Sequence, residues 1–101
     1  MNQLDNYFSD DEIEEIEVLL DGTEAMSVDG NEIICFKTLH DIIQNTIEIA
    51  DVSKTDLLTS YAQLKGLKDT FDSLGFVDTK VLESIVNKSR ELIKNELDKR
   101  K

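Results

Sequence analysis

Two runs of helical periodicity, separated by only about four residues, limit what this chain can become. Over 55–74 the apolar side is Leu57, Leu58, Tyr61, Leu64, Leu67, Phe71 and Leu74. Over 79–99 it is Val81, Leu82, Ile85, Val86, Leu92, Ile93 and Leu97. A joint that short forces consecutive helices to fold back on one another as an antiparallel hairpin. The ends are well marked. Ser53 or Thr55 suits the cap of the first run, and Asp78 or Thr79 that of the second. In "FDSLGFVDTKVL", Gly75 suits the left-handed position after a helix, with Phe71 and Phe76 spaced for the apolar contact of a Schellman motif. Gly66, inside the first run, costs about 1 kcal/mol relative to Ala and marks either a break or a close backbone contact. Glu96 and Arg100 form an i,i+4 pair in the favourable order, and Lys99, Arg100 and Lys101 suit the negative end of the helix dipole.

Two shorter helices precede the hairpin. In "FSDDEIEEIEVLLDG", Ser9 and Glu12 make a capping box, and Phe8 and Ile13 have the spacing of a hydrophobic staple. The apolar stripe is Ile13, Ile16, Leu19 and Leu20, and Asp21-Gly22 is expected to end the helix. "EAMSVDGNEIICF" places Asp29-Gly30 between short β-prone runs, which is a hairpin signal. From Lys37 the helical period returns, with Leu39, Ile42, Ile43, Ile47 and Ala50 on one face and His40, Asp41, Gln44, Asn45 and Glu48 on the other, stopping near Asp51.

The expected fold is therefore mainly α. A long antiparallel helical hairpin (about 55–99) packs with two shorter helices, and a small β-hairpin lies at about 25–36, against the helices because a lone hairpin is marginal. A chain of 101 residues is expected to be a single domain, 1–101. Neither a signal peptide nor an apolar run of membrane-spanning length is evident, and one cysteine, Cys35, excludes an internal disulfide and fits a reducing compartment. The expected location is cytoplasmic, in a bacterium or an infected host cell. The bias toward Lys, Ile and Asn is common in AT-rich genomes, those of many phages included.

Charge divides the chain in two. Residues 1–34 hold eleven acids and no Lys or Arg, whereas 35–101 hold eleven acids and eleven bases. The net charge of −11 thus lies wholly in the first third, the acidic helix and hairpin, and the helical remainder (37–101) is neutral. Capping and the helix dipole account for Asp10, Asp11 and Glu12. They do not account for Glu14, Glu15 and Glu17. Such asymmetry indicates an interaction surface, set against the simpler role of keeping the protein soluble.

Little else in the sequence carries chemistry. His40 falls on the polar face of its helix, Cys35 has no neighbouring base to activate it, and neither a phosphate-binding glycine loop nor a Cys/His cluster is present. No enzyme activity, cofactor or metal is expected. Lys65, Lys68, Lys80, Lys88, Arg90 and Lys94 are interleaved with acids, so direct nucleic-acid binding is not expected either. The reading that follows is a non-enzymatic acidic protein-interaction module. Asp10, Asp11, Glu14, Glu15, Glu17, Asp21 and Glu24 would dock on a basic surface of another protein, as a phage-type inhibitor or regulator of a nucleic-acid-binding enzyme does by charge mimicry. The alternative is a structural protein that self-assembles as a homo-oligomer through the broad apolar faces of its helical hairpin. Its layout is similar to the central hairpin of phage DNA-packaging small subunits.

Residues 8–39 also resemble a calcium-binding EF-hand. "FSDDEIEEIEVLL" looks like the entering helix, and "SVDGNEIICFKTL" looks like the loop, with Ser27, Asp29 and Asn31 at alternating ligand positions and Ile34 at the central hydrophobic one. The pattern departs where Thr38 replaces the bidentate Glu and Glu32 the turn Gly, so the resemblance is to a degenerate module.

Overall fold

A computed structural model describes residues 7–23, 27, 28, 30–75 and 78–100. Four α-helices account for most of them: α1 (Asp10–Thr23), α2 (Cys35–Ile43), α3 (Lys54–Leu74) and α4 (Thr79–Lys99). Between α1 and α2, β1 (Ser27–Val28) pairs with β2 (Asn31–Glu32) in an antiparallel ladder, Ser27 opposite Glu32 and Val28 opposite Asn31. Gly30, at φ 78°, supplies a left-handed residue to the turn. The ladder is shorter than expected. Cys35 and Phe36, read as part of the second arm, instead open α2, where both are fully buried. Met26 and Asp29 lie outside the described residues.

The caps settle two open choices. The Ser53 hydroxyl accepts from the Asp56 N–H at 3.1 Å, so α3 starts at Lys54. The Asp78 carboxylate accepts from the N–H groups of Lys80 and Val81, so α4 starts at Thr79. Gly75 ends α3 at φ 71° with its N–H on the Phe71 carbonyl. Phe76 lies outside the described residues. Gly66 neither breaks α3 nor receives a close contact, since a Cβ built there meets nothing within 4 Å.

Two boundaries differ from the sequence expectation. Helix α1 runs through Gly22 to Thr23, whose hydroxyl donates to the Leu20 carbonyl, so Gly22 is an interior residue and not a terminator. Helix α2 stops at Ile43 rather than near Asp51. Asn45 takes φ 61°, its N–H bonds to the Ile42 carbonyl, and the Thr46 N–H reaches the Asp41 carbonyl. That is a Schellman motif with Asn in the left-handed seat, a conformation its short polar side chain tolerates. The chain then makes a short 3-10 turn, Ile49–Asp51, which buries Ile49 and Val52.

Helix α1 packs on α2 and α4, α2 on α3, and α3 on α4, so the four helices close a ring of neighbours. The interior is a single apolar cluster. Ile16 and Leu19 come from α1, Phe36, Leu39 and Ile42 from α2, Leu57, Leu64, Leu67 and Phe71 from α3, and Leu82, Ile85 and Ile93 from α4. Side chains of this size contribute at most about 1.5–3 kcal/mol each when fully buried. The rings of Phe36 and Phe71 meet at 6.3 Å and 58°, joining α2 to α3. A polar residue completes that junction. Gln63, 5% exposed, sits at a core position of α3. Its amide oxygen accepts from Ile34 N–H at 2.9 Å and Cys35 N–H at 3.3 Å, and its nitrogen donates to the Glu32 carbonyl at 2.7 Å. It thereby fastens the segment before α2 to the hairpin. No helix among the described residues is long and apolar enough to cross a membrane.

Candidate functional site

The acids of α1 sort into three groups by their place on the helix. Asp10, Glu14, Glu17 and Asp21 follow a 4-3-4 spacing, which confines them to about 60° of arc. All four are exposed, on the side of the helix away from the buried Glu12, Ile16, Leu19 and Thr23. A second row, Asp11, Glu15, Val18 and Gly22, runs beside it with the same spacing. In that row Glu15 is half-buried and the rest are exposed. Of the seven carboxylates expected to form one docking face, four therefore share one row, Asp11 and Glu15 stand in the row beside it, and Glu24 lies outside the described residues.

Glu12 belongs to neither row. It is 6% exposed and does more than cap. It accepts from Ser9 N–H at 2.9 Å, and the Ser9 hydroxyl accepts from Glu12 N–H at 3.2 Å, which completes the capping box. Its carboxylate also takes the Ser84 hydroxyl at 2.6 Å and the Lys88 ammonium at 2.7 Å from α4. Burial pushes its pKa up, but the hydrogen bonds from Lys88, Ser84 and Ser9 and the charge of Lys88 outweigh burial and hold it at about 2, against an ordinary 4.5. Lys88 is a hub. The Tyr7 hydroxyl donates to its carbonyl at 2.8 Å, and its ammonium lies 6.0 Å from the centre of the Phe8 ring.

The outer carboxylates have almost no cations. His40, read from sequence as a surface residue and in fact half-buried, stands 3.6 Å from Glu17. Among the described residues, Asp10, Asp11, Glu14, Glu15 and Asp21 make no ion pair. The nearest lysine in sequence, Lys37, pairs with Asp41 at 3.8 Å. Six carboxylates along about 16 Å of helix axis have a mean spacing of ~3.3 Å, close to the ~3.4 Å of one strand of duplex DNA. Chemically this surface offers a dense, fixed negative line. Among the described residues no three His, Cys, Asp or Glu side chains are grouped to hold a metal ion.

Sequence reasoning missed a second feature. Lys54, Lys94 and Arg100, far apart in the sequence, are brought by the fold to one groove of about 380 Å³, between the start of α3 and the end of α4. Leu58, Tyr61 and Leu97 form its apolar lining, and Lys54, Lys94, Asp98 and Arg100 its charged one. The helical period places Leu58 with the core residues, yet it is exposed; only the helix-to-helix geometry reveals this. Cys35 is buried as expected, and burial pushes its thiol up to about 12 despite opposing hydrogen bonds from the N–H groups of Phe36 and Cys35 itself. Comparison with protein families, with curated proteins and with solved structures gives no match.

Proposed function

We propose that the protein is a non-enzymatic interaction module that uses the outer face of α1 to dock on a basic, nucleic-acid-binding surface of a partner protein, and so inhibits or regulates it. The observation that carries this reading is the row Asp10, Glu14, Glu17 and Asp21, which is turned from the core and, among the described residues, is paired only through Glu17 with His40. Unpaired like charges on one helix face cost about 0.2–0.5 kcal/mol per i,i+4 pair, so the row opposes the stability of its own helix. Together with Asp11 and Glu15 of the neighbouring row, it gives the helix a linear charge density near that of a DNA strand, which makes α1 a competitor for sites built to take phosphates. Complementary charge would speed encounter and set register. Assembly through the broad faces of the hairpin has less support, because Leu67 and Val86 are already in the core and Leu58 is the one large apolar side chain of the hairpin exposed among the described residues.

The test is capture of partners from a host lysate by the parent and by a Glu14→Gln, Glu17→Gln, Asp21→Asn variant, at low and moderate salt, with duplex DNA added as competitor. The parent should capture a basic protein, lose it as salt rises, and lose it to DNA. The variant should fold at least as well and capture markedly less. Equal capture by both at both salts, or capture indifferent to DNA, refutes the reading.

A further inference from the structure

Two large apolar side chains stand exposed among the described residues, Val18 at 45% and Leu58 at 48%, and their surroundings carry opposite charge. Glu14 and Glu15 lie one turn before Val18, and Asp21 lies three residues after it. Gly22, one turn after, has no side chain, and a Cβ built there would meet nothing within 4 Å. A second backbone can therefore approach α1 closely beside Val18. Leu58 lies in the groove between α3 and α4, with Lys54, Lys94 and Arg100 around it and Asp98 as the one carboxylate of the lining. Arg100 is already engaged by Glu96 and by the carbonyls of Ile49 and Ala50, but Lys54 and Lys94 make no ion pair among the described residues. Arg90 continues the positive side, its guanidinium 4.2 Å from the centre of the Tyr61 ring and its Nε buried without a hydrogen-bond partner.

We propose that this groove receives the α1 helix of a second copy of the chain. Val18 seats against Leu58 and Tyr61, Glu14, Glu15 and Asp21 face Lys54 and Lys94, and Gly22 lets the helix lie low in the groove. The two faces of the contact are different surfaces, so each associated pair keeps one free α1 and one free groove, and copies add head to tail. Net charge opposes the contact, since each copy carries −11. Range decides between the two effects. Copies in contact are separated by about their own extents, 35 × 31 × 20 Å. That is several Debye lengths at 0.15 M salt, where the length is about 8 Å, and about one at 0.01 M, where it is about 30 Å. At the higher salt the overall repulsion is screened and the pairs in contact persist. At the lower salt the repulsion is fully felt. Self-association therefore strengthens between about 0.01 M and 0.15 M salt, the opposite of docking on a basic partner. The proposal goes beyond the reading of α1 as a partner face, and no partner enters its test.

The test is solution mass by sedimentation or light scattering between about 1 µM and 1 mM protein. For the parent, the average mass should rise with concentration, and more at about 0.15 M than at about 0.01 M salt. Val18→Lys spoils the helix face, and Leu58→Glu or, separately, Lys94→Glu spoils the groove. All three positions are exposed, so circular dichroism should show the parent's fold. Each variant alone should stay at the mass of one chain. Mixed in equal amounts, Val18→Lys and a groove variant should give twice that mass and no more, because one intact face of each kind remains. A parent that stays monomeric throughout, variants that associate as the parent does, a mixture that does not pair, or greater mass at the lower salt each overturn the proposal.

Discussion

Replacing Glu12 with Gln removes one charge and almost no volume from the point where α1 is fastened to α4. The carboxyl is held at about 2 in the folded protein, against an ordinary value of 4.5. At about 1.4 kcal/mol per pH unit, that difference amounts to about 3 kcal/mol of stability at neutral pH. Lys88 is 38% exposed, so part of its contribution is screened by water. The expected loss for Glu12→Gln is about 2–3 kcal/mol, or roughly 10–20 °C in Tm for a chain of this size. The pH dependence has a definite sign. A carboxyl whose pKa is depressed by folding stabilises the fold above its unfolded value and loses that contribution as pH falls through the folded one. The stability gap between parent and variant should be full above about pH 5, fall to roughly half near pH 3, and close by about pH 1. Acidification also relieves repulsion among the other acids, but it does so in both proteins, and the difference between them cancels it. Urea unfolding followed by circular dichroism at pH 7 and pH 3 measures the gap. A variant as stable as the parent at pH 7, or a gap that keeps its size at pH 3, would refute the argument.

Gln63→Leu should lower stability by about 2–3 kcal/mol, because it leaves two N–H groups and a carbonyl without partners. The same variant should speed amide exchange at Ile34 and Cys35; an unchanged urea midpoint would contradict this. A thiol reagent at pH 8 should label Cys35 no faster than the chain unfolds, since the thiol is buried and pushed up to about 12; rapid labelling of the folded protein would show that the site opens locally. Gly22→Ala should raise stability by about 0.5–1 kcal/mol, because Gly22 is helical and exposed with open space for a methyl group. A fall in Tm would mean that α1 ends earlier.

The hairpin of α3 and α4 was legible in the sequence because every local signal agrees there: period, caps at Ser53 and Asp78, and a left-handed Gly75. The end of α2 was not. Ile43, Ile47 and Ala50 continue a helical period past the point where Asn45 turns left-handed, and side-chain pattern alone does not show a backbone that has left the helix. Glu12 was legible as a cap, but its bonds to Ser84 and Lys88 cross more than seventy residues, which no local pattern spans. Gln63 was overlooked because a single polar residue at a core position resembles the edge of a helix's wet face. The acidic rows on α1 followed from composition, whereas the basic groove did not, since Lys54, Lys94 and Arg100 converge only when the two ends of the hairpin meet.

Helix α4 has a consequence for the order in which the fold can be made. It supplies Ser84 and Lys88 to hold Glu12, and Arg100 to hold the carbonyls of Ile49 and Ala50 in the 3-10 turn ahead of α3. It also fills one side of the ring of helices with Leu82, Ile85 and Ile93. During synthesis α1, α2 and α3 therefore leave the ribosome without the wall they close upon. Until α4 follows, Glu12 lacks the partners that hold it and the carbonyls of Ile49 and Ala50 lack Arg100. Biogenesis should proceed in one late step, with protease resistance appearing only once α4 is free, rather than helix by helix from the N-terminus.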